Sequence, residues 1–188
     1  MALKLTQDEK KFLSKWLLAN GIAWLVGIIL AIVLSYTVVN LFYPKETNLI
    51  VGICLGAVVG YSQWLVLKKY FKPGVWWILA AAIGIGLPFV VIFVLYEING
   101  VEVEFTGMEI LDQAILLFMG GFLTGLLQFN IFKALSPKYA WWIIISTFAW
   151  GIGWFGLILG GLVLGLIAGF PILRLFSLPI QNVPGKRA

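Results

Sequence analysis

Five stretches of this chain carry no charged residue: 16–44, 47–67, 74–96, 113–132 and 139–173. A bilayer span needs about 20 apolar residues, and in hydrocarbon the backbone has no water to bond, so such runs must close their own hydrogen bonds as helices. This constrains the fold more than any motif. Hydrophobic residues make up 62% of the 188 positions and charged residues 11%, with a mean hydropathy of +1.03; soluble domains carry about 25% charge. The chain reads as an all-α integral membrane protein.

The last run is 35 residues long, too long for one span and slightly short for two, with Gly160-Gly161 as the expected turn. Cation placement decides between five helices and six. Lys4, Lys10, Lys11 and Lys15 precede the first helix; Lys68, Lys69 and Lys72 follow the second; Lys133 and Lys138 follow the fourth; Arg174, Lys186 and Arg187 close the chain. Only Lys45 falls in an alternate loop. Twelve cations against one place both termini in the cytoplasm and require an even number of helices, hence six. The same asymmetry accounts for the net charge of +5 without nucleic acid.

Gly56/Gly121, Gly60/Gly125, Gln63/Gln128, Lys68/Lys133, Trp76/Trp141 and Trp77/Trp142 align at one offset without a gap. Trp16, Trp77 and Trp142 each open a similar apolar run. The unit is a hairpin: an outgoing helix with Trp at its mouth, then a returning helix carrying G-x-x-x-G. Three such units are expected, at 16–70, 75–134 and 139–176, inside one transmembrane domain, 16–176. The third is degenerate, with Gly161 and Gly165 in place but Ala168 where the glutamine belongs, and its outer loop is missing. Parallel repeats of this kind imply a pseudo-threefold bundle about an axis along the membrane normal.

Outside that domain, residues 1–15 form an expected cytoplasmic or interfacial segment, and 177–188 a short cytoplasmic tail. Thr6 and Glu9 fit a capping box, so a short helix carrying Phe12, Leu13 and Trp16 is expected along the inner surface before the first span. The outer segment 97–112 is acidic and alternates like a small extended flap, with Thr106 and Glu109 capping the fourth helix.

The candidate packing or cavity residues are Gly56, Gly60, Gln63, Gly121, Gly125, Gln128 and Asn20. Gly52, Gly56, Gly60 and Gln63 share one helical face, as do Gly121, Gly125 and Gln128. Small residues let helix backbones approach in lipid, and an amide can bond across the contact for about 0.6 kcal/mol. Trp16, Trp76, Trp77, Trp141 and Trp142, beside lysines, read as interfacial anchors, whereas Trp24, Trp150 and Trp154 lie deeper and either pack the core or flank a lipid or pigment ring.

No histidine occurs and Cys54 is the sole cysteine, so the common ligands of haem and catalytic zinc are missing, and no metal site is expected. No charge lies at mid-membrane, where pumps keep one, and Ser35, Ser62 and Ser146 have no base to activate them. No catalytic residue is assigned and an enzyme is not expected.

The pattern Gly56, Gly60, Gln63, Trp64, Leu67, Lys68, followed by Trp76-Trp77, resembles a set of uncharacterised multi-pass prokaryotic membrane proteins built on G-x-x-x-G-x-x-Q-W repeats. The second copy has Phe129 and Phe132 for the tryptophan and leucine, and the likeness covers most of 50–155. It implies a prokaryotic cytoplasmic membrane, or an internal one such as a thylakoid, and repetition; it carries over no functional residue. The reading is a small membrane subunit that packs against a larger complex, a second copy of itself or membrane lipids, and requires no cofactor. A lipid, isoprenoid or carotenoid-like molecule is the expected ligand class. The alternative is a facilitator for a small neutral solute, with Gln63 and Gln128 lining the path.

Overall fold

The computed structural model describes residues 5–39, 47–70, 73–100, 110–133 and 137–177. Among these there is no strand. Six helices follow in order: α1 (Gln7–Leu34), α2 (Thr47–Leu67), α3 (Trp76–Asn99), α4 (Ile110–Lys133), α5 (Trp141–Phe155) and α6 (Gly160–Ser177). A π-helical turn, Ser35–Val39, ends α1, and short 3-10 turns, Pro137–Ala140 and Leu157–Leu159, precede α5 and α6. All but α5 are long and apolar enough to cross a membrane. At 15 residues, α5 spans about 22 Å, less than a hydrocarbon core of ~30 Å.

The helix α1 starts where the sequence says it should. Glu9 N–H donates to Thr6 Oγ1 at 3.3 Å and Thr6 N–H donates to Glu9 Oε2 at 2.7 Å, closing the capping box. It then continues unbroken for 28 residues. The separate surface helix expected around Phe12 and Trp16 is therefore the first part of α1, because both side chains turn into the bundle and are buried. Of the expected acidic flap, 97–99 close α3 and 110–112 open α4 as helix, while 101–109 with the Thr106 and Glu109 cap, Lys45 and residues 178–188 lie outside the described residues.

Each helix packs antiparallel on its chain neighbours, and α6 returns to pack on α1, so the six close into a ring. Glycine explains the tightness of three of these seams. A Cβ on Gly56 would run into the Ala81 carbonyl of α3 and lie 3.0 Å from Ala82 Cα, and one on Gly60 would lie 2.6 Å from Ala81 Cβ. On α4, Gly121 and Gly125 sit in the same way against Ser146 and Ile143 of α5. On α6, Gly161 and Gly165 sit against Asn20 and Leu17 of α1. In lipid, where helices gain nothing from hiding apolar surface, such close backbone contact supplies the van der Waals attraction that holds them.

The turn between α5 and α6 differs from the expected Gly160-Gly161. The chain reverses at 156–159, with Leu157 at φ 45°, and Gly160 is already the first residue of α6. The glycine pair is needed elsewhere. A Cβ on Gly160 would meet the Trp24 ring at 2.6 Å, and one on Gly161 would meet the Asn20 carbonyl. Trp24 in turn holds the reversal, donating its indole N–H to the Leu157 carbonyl at 2.9 Å.

Candidate functional site

The amides of Asn20, Gln63 and Gln128 meet at one level inside the ring, toward the end where α2 and α4 finish and α3 and α5 begin. Trp142 of α5 donates its indole N–H to Gln128 Oε1 of α4 at 2.9 Å, and Gln128 Nε2 donates to the Trp77 carbonyl of α3 at 3.5 Å. Trp77 then donates to Gln63 Oε1 of α2 at 3.2 Å, and Gln63 Nε2 donates to Asn20 Oδ1 of α1 at 2.9 Å. Asn20 Nδ2 ends the chain on the Trp16 carbonyl at 2.8 Å. Five helices are thus joined by amides that both donate and accept and by indoles that donate. A further bond, Ser62 Oγ to the Ala19 carbonyl at 2.8 Å, fastens α2 to α1 just beside it.

Helical periodicity puts these groups inside. Gln63 follows Gly60 by three positions and Gln128 follows Gly125 by three, so each amide extends the glycine face of its helix toward the next helix round the ring. Gln63 and Gln128 are 4% and 1% exposed and Asn20 is fully buried. Both ends of each amide are bonded, as burial in a low-dielectric interior demands.

The sixth position breaks the pattern. Ala168 stands on α6 where α2 and α4 carry glutamine, and Trp16 Nε1, fully buried, has no acceptor among the described residues. Its indole lies against Gly169 of α6 instead. Thr124 Oγ1 is likewise buried without a partner, packed on Gly84 of α3 four residues before Pro88, which as a proline donates no hydrogen bond to the Gly84 carbonyl.

The five tryptophans read as interfacial anchors divide in two. Trp16, Trp77 and Trp142 are buried within the ring, while Trp76 and Trp141 face outward. Consecutive residues on a helix point about 100° apart, so a Trp-Trp pair cannot serve the belt with both members. Trp77, Trp142 and Phe132 pack with centroids 5.3–5.8 Å apart, and Phe12, Tyr70 and Tyr139 join at the same end. Farther along the bundle, Trp24 packs on Trp150 and Trp154, with Trp24 and Trp150 buried in the core.

Sequence reasoning placed the glutamines together with the glycines but missed the indoles as their partners. The signal was present: Gln63 to Trp77 and Gln128 to Trp142 are both separated by 14 positions. It also missed the use of Trp64, whose ring lies 4.4 Å from Lys68 Nζ, a cation–π contact one helical turn apart. Among the described residues no group of three His, Cys, Asp or Glu side chains is placed to hold a metal.

What this arrangement can do chemically is hold helices in register. Indole and amide groups at this level carry no charge to move and no nucleophile. Comparison with family models, curated proteins and solved structures found no match, so the likeness to G-x-x-x-G-x-x-Q-W membrane proteins rests on its motif residues alone.

Proposed function

We propose that this protein is a non-catalytic packing subunit of a prokaryotic cytoplasmic or internal membrane. It is built from three copies of one helical hairpin arranged about a pseudo-threefold axis, with six spans and both termini cytoplasmic. The observation that carries the reading is the hydrogen-bonded chain from Trp142 to Trp16, which engages the buried amides of Asn20, Gln63 and Gln128 in holding helices together. Two of the three hairpins supply the same Gln–indole bond, and all three supply the same glycine contact with the following outgoing helix, which supports the repeat. What remains outward is apolar, for example Ile83, Leu87 and Val91 on α3 and Phe148 and Phe155 on α5. Such a surface suits lipid, isoprenoid-type molecules or the helices of other subunits, including a second copy.

The facilitator alternative needs Gln63 and Gln128 to turn their polar atoms to a passing solute, whereas the oxygen and the nitrogen of each are already bonded to neighbouring helices. The test is paired. Native mass spectrometry of the protein extracted from its own membrane should find retained subunits or lipid, and liposomes containing it should take up small neutral solutes no faster than empty ones. Uptake by the wild type that Gln63→Leu abolishes while the fold survives would reverse the assignment.

A further inference from the structure

The seam between α1 and α6 holds a shallow, open groove of about 460 Å³, lined by Leu5, by Lys10, Leu13, Ser14, Leu17 and Leu18 of α1, and by Leu162 of α6. We propose that it binds one anionic phospholipid, with the phosphate on Lys10 and Ser14 and an acyl chain along Leu17, Leu18 and Leu162. The volume falls within the range of small-molecule sites. Its lining is ordered as an amphiphile is: Lys10 and Ser14 stand toward the start of α1, and Leu18 lies eight residues farther on, about 12 Å along the helix.

Charge argues for an anionic headgroup. Lys11 and Lys15 lie on the same helix, and Lys68 and Lys69 close α2 at the same end of the bundle. Glu9, the acid next to Lys10, is turned to Thr6 by the capping box. Among the described residues neither the Lys10 ammonium nor the Ser14 hydroxyl has a partner. The amide bonding that joins α1 to α5 does not reach this seam. Leu13 and Leu17 close over Gly169 and Gly165 there, and Trp16 lies behind Leu13 with its N–H unmatched. A basic site beside a membrane-embedded helix is the expected recognition device for acidic lipid.

The inference rests on reading the chain as a membrane-embedded packing subunit, and the experiment separates the two. Delipidated protein in detergent is titrated with phosphatidylglycerol and with phosphatidylcholine, and native mass spectrometry counts bound lipid. One phosphatidylglycerol per chain is expected, held in preference to phosphatidylcholine. Lys10→Gln should weaken it about fivefold, the effect of one lysine at a bilayer surface. Leu18→Trp, which fills the apolar end, should abolish it, while Lys11→Gln, outside the lining, should weaken it by less than Lys10→Gln does. No preference for phosphatidylglycerol, equal losses from Lys10→Gln and Lys11→Gln, or displacement by inorganic phosphate would overturn the assignment. Retained protein partners and solute uptake, read on the same samples, report on the packing function and are expected to be unchanged in all three variants.

Discussion

Trp142 donates its indole N–H to Gln128 Oε1 across 2.9 Å, and that bond joins a returning helix to the outgoing helix of the next hairpin. The glycine contacts follow the same rule, Gly56 meeting Ala81 and Gly121 meeting Ser146. The α2–α3 and α4–α5 junctions between hairpins are therefore each closed by a buried bond and a glycine contact, and each hairpin is positioned by its neighbour.

Replacing Gln128 by leucine keeps the volume and removes the acceptor. The buried Trp142 N–H is then left without a partner, which costs about 1–3 kcal/mol. Adding Trp142→Phe removes the orphaned donor, so the double variant should lose less than the sum of the two single losses. Reversible unfolding in mixed micelles measures all three. Strict additivity would mean that the bond contributes nothing.

Trp16 gives the reciprocal experiment. Its N–H has no acceptor to lose, so Trp16→Phe should destabilise less than Trp142→Phe, by about 1 kcal/mol. Ala168→Gln should supply the absent acceptor and raise the thermal midpoint. A lower midpoint would show that the α1–α6 seam has no room for the amide.

The glycines should not respond alike to alanine. At Gly56 the new methyl meets the Ala81 backbone, which cannot step aside, and a loss of about 1–3 kcal/mol is expected for overpacking. At Gly165 the nearest atom is the Leu17 Cδ2 at 3.2 Å, a side-chain end able to shift. Thermal unfolding of Gly56→Ala and Gly165→Ala should therefore separate clearly, with the second close to wild type.

Leu157 occupies left-handed backbone at φ 45° with its side chain exposed. A left-handed residue with a Cβ costs about 1–2 kcal/mol, so Leu157→Gly should be neutral or stabilising by up to ~1 kcal/mol. A clear drop in midpoint would show that the leucine side chain is needed outside the bundle, against lipid or a partner.

The proposed orientation is argued from the cation bias and is tested by substituted-cysteine labelling in a Cys54→Ser background. Cysteines at Lys10 and Lys186 should label only from the cytoplasmic side, and one at Glu102 only from outside. Labelling of the Lys186 site from outside would remove one span from the topology.

Much of this was legible in the sequence because the bilayer simplifies the problem. An uncharged apolar run must be helical, so 47–67 and 113–132 translated directly into α2 and into most of α4. The capping box at Thr6 and Glu9 marked the start of α1 to the residue. What the sequence hid was direction. A glycine stripe says that two backbones meet but does not say which, and Gly56 turned to α3 as readily as it could have turned to α1. The same ambiguity misplaced the last reversal: Gly160-Gly161 reads locally as a turn, while its use comes from Trp24, on the first helix of the chain. In the sequence Trp77 and Trp142 read as headgroup anchors, because an indole beside lysine fits that role as well as it fits a buried amide.

The bonded chain inside the ring also has a chronology. Every donor in it lies later in the sequence than its acceptor: Trp142 after Gln128, Gln128 after Trp77, Trp77 after Gln63, Gln63 after Asn20, Asn20 after Trp16. A chain that emerges N-terminus first therefore presents each acceptor before the group that will seek it, and no N–H of this bonded chain has to wait in lipid for an acceptor still to be synthesised. Trp24 is the exception, since its N–H finds the Leu157 carbonyl only when the last reversal has been made. That one bond ties the first helix to the final turn, and its formation marks the moment at which the nascent bundle is complete.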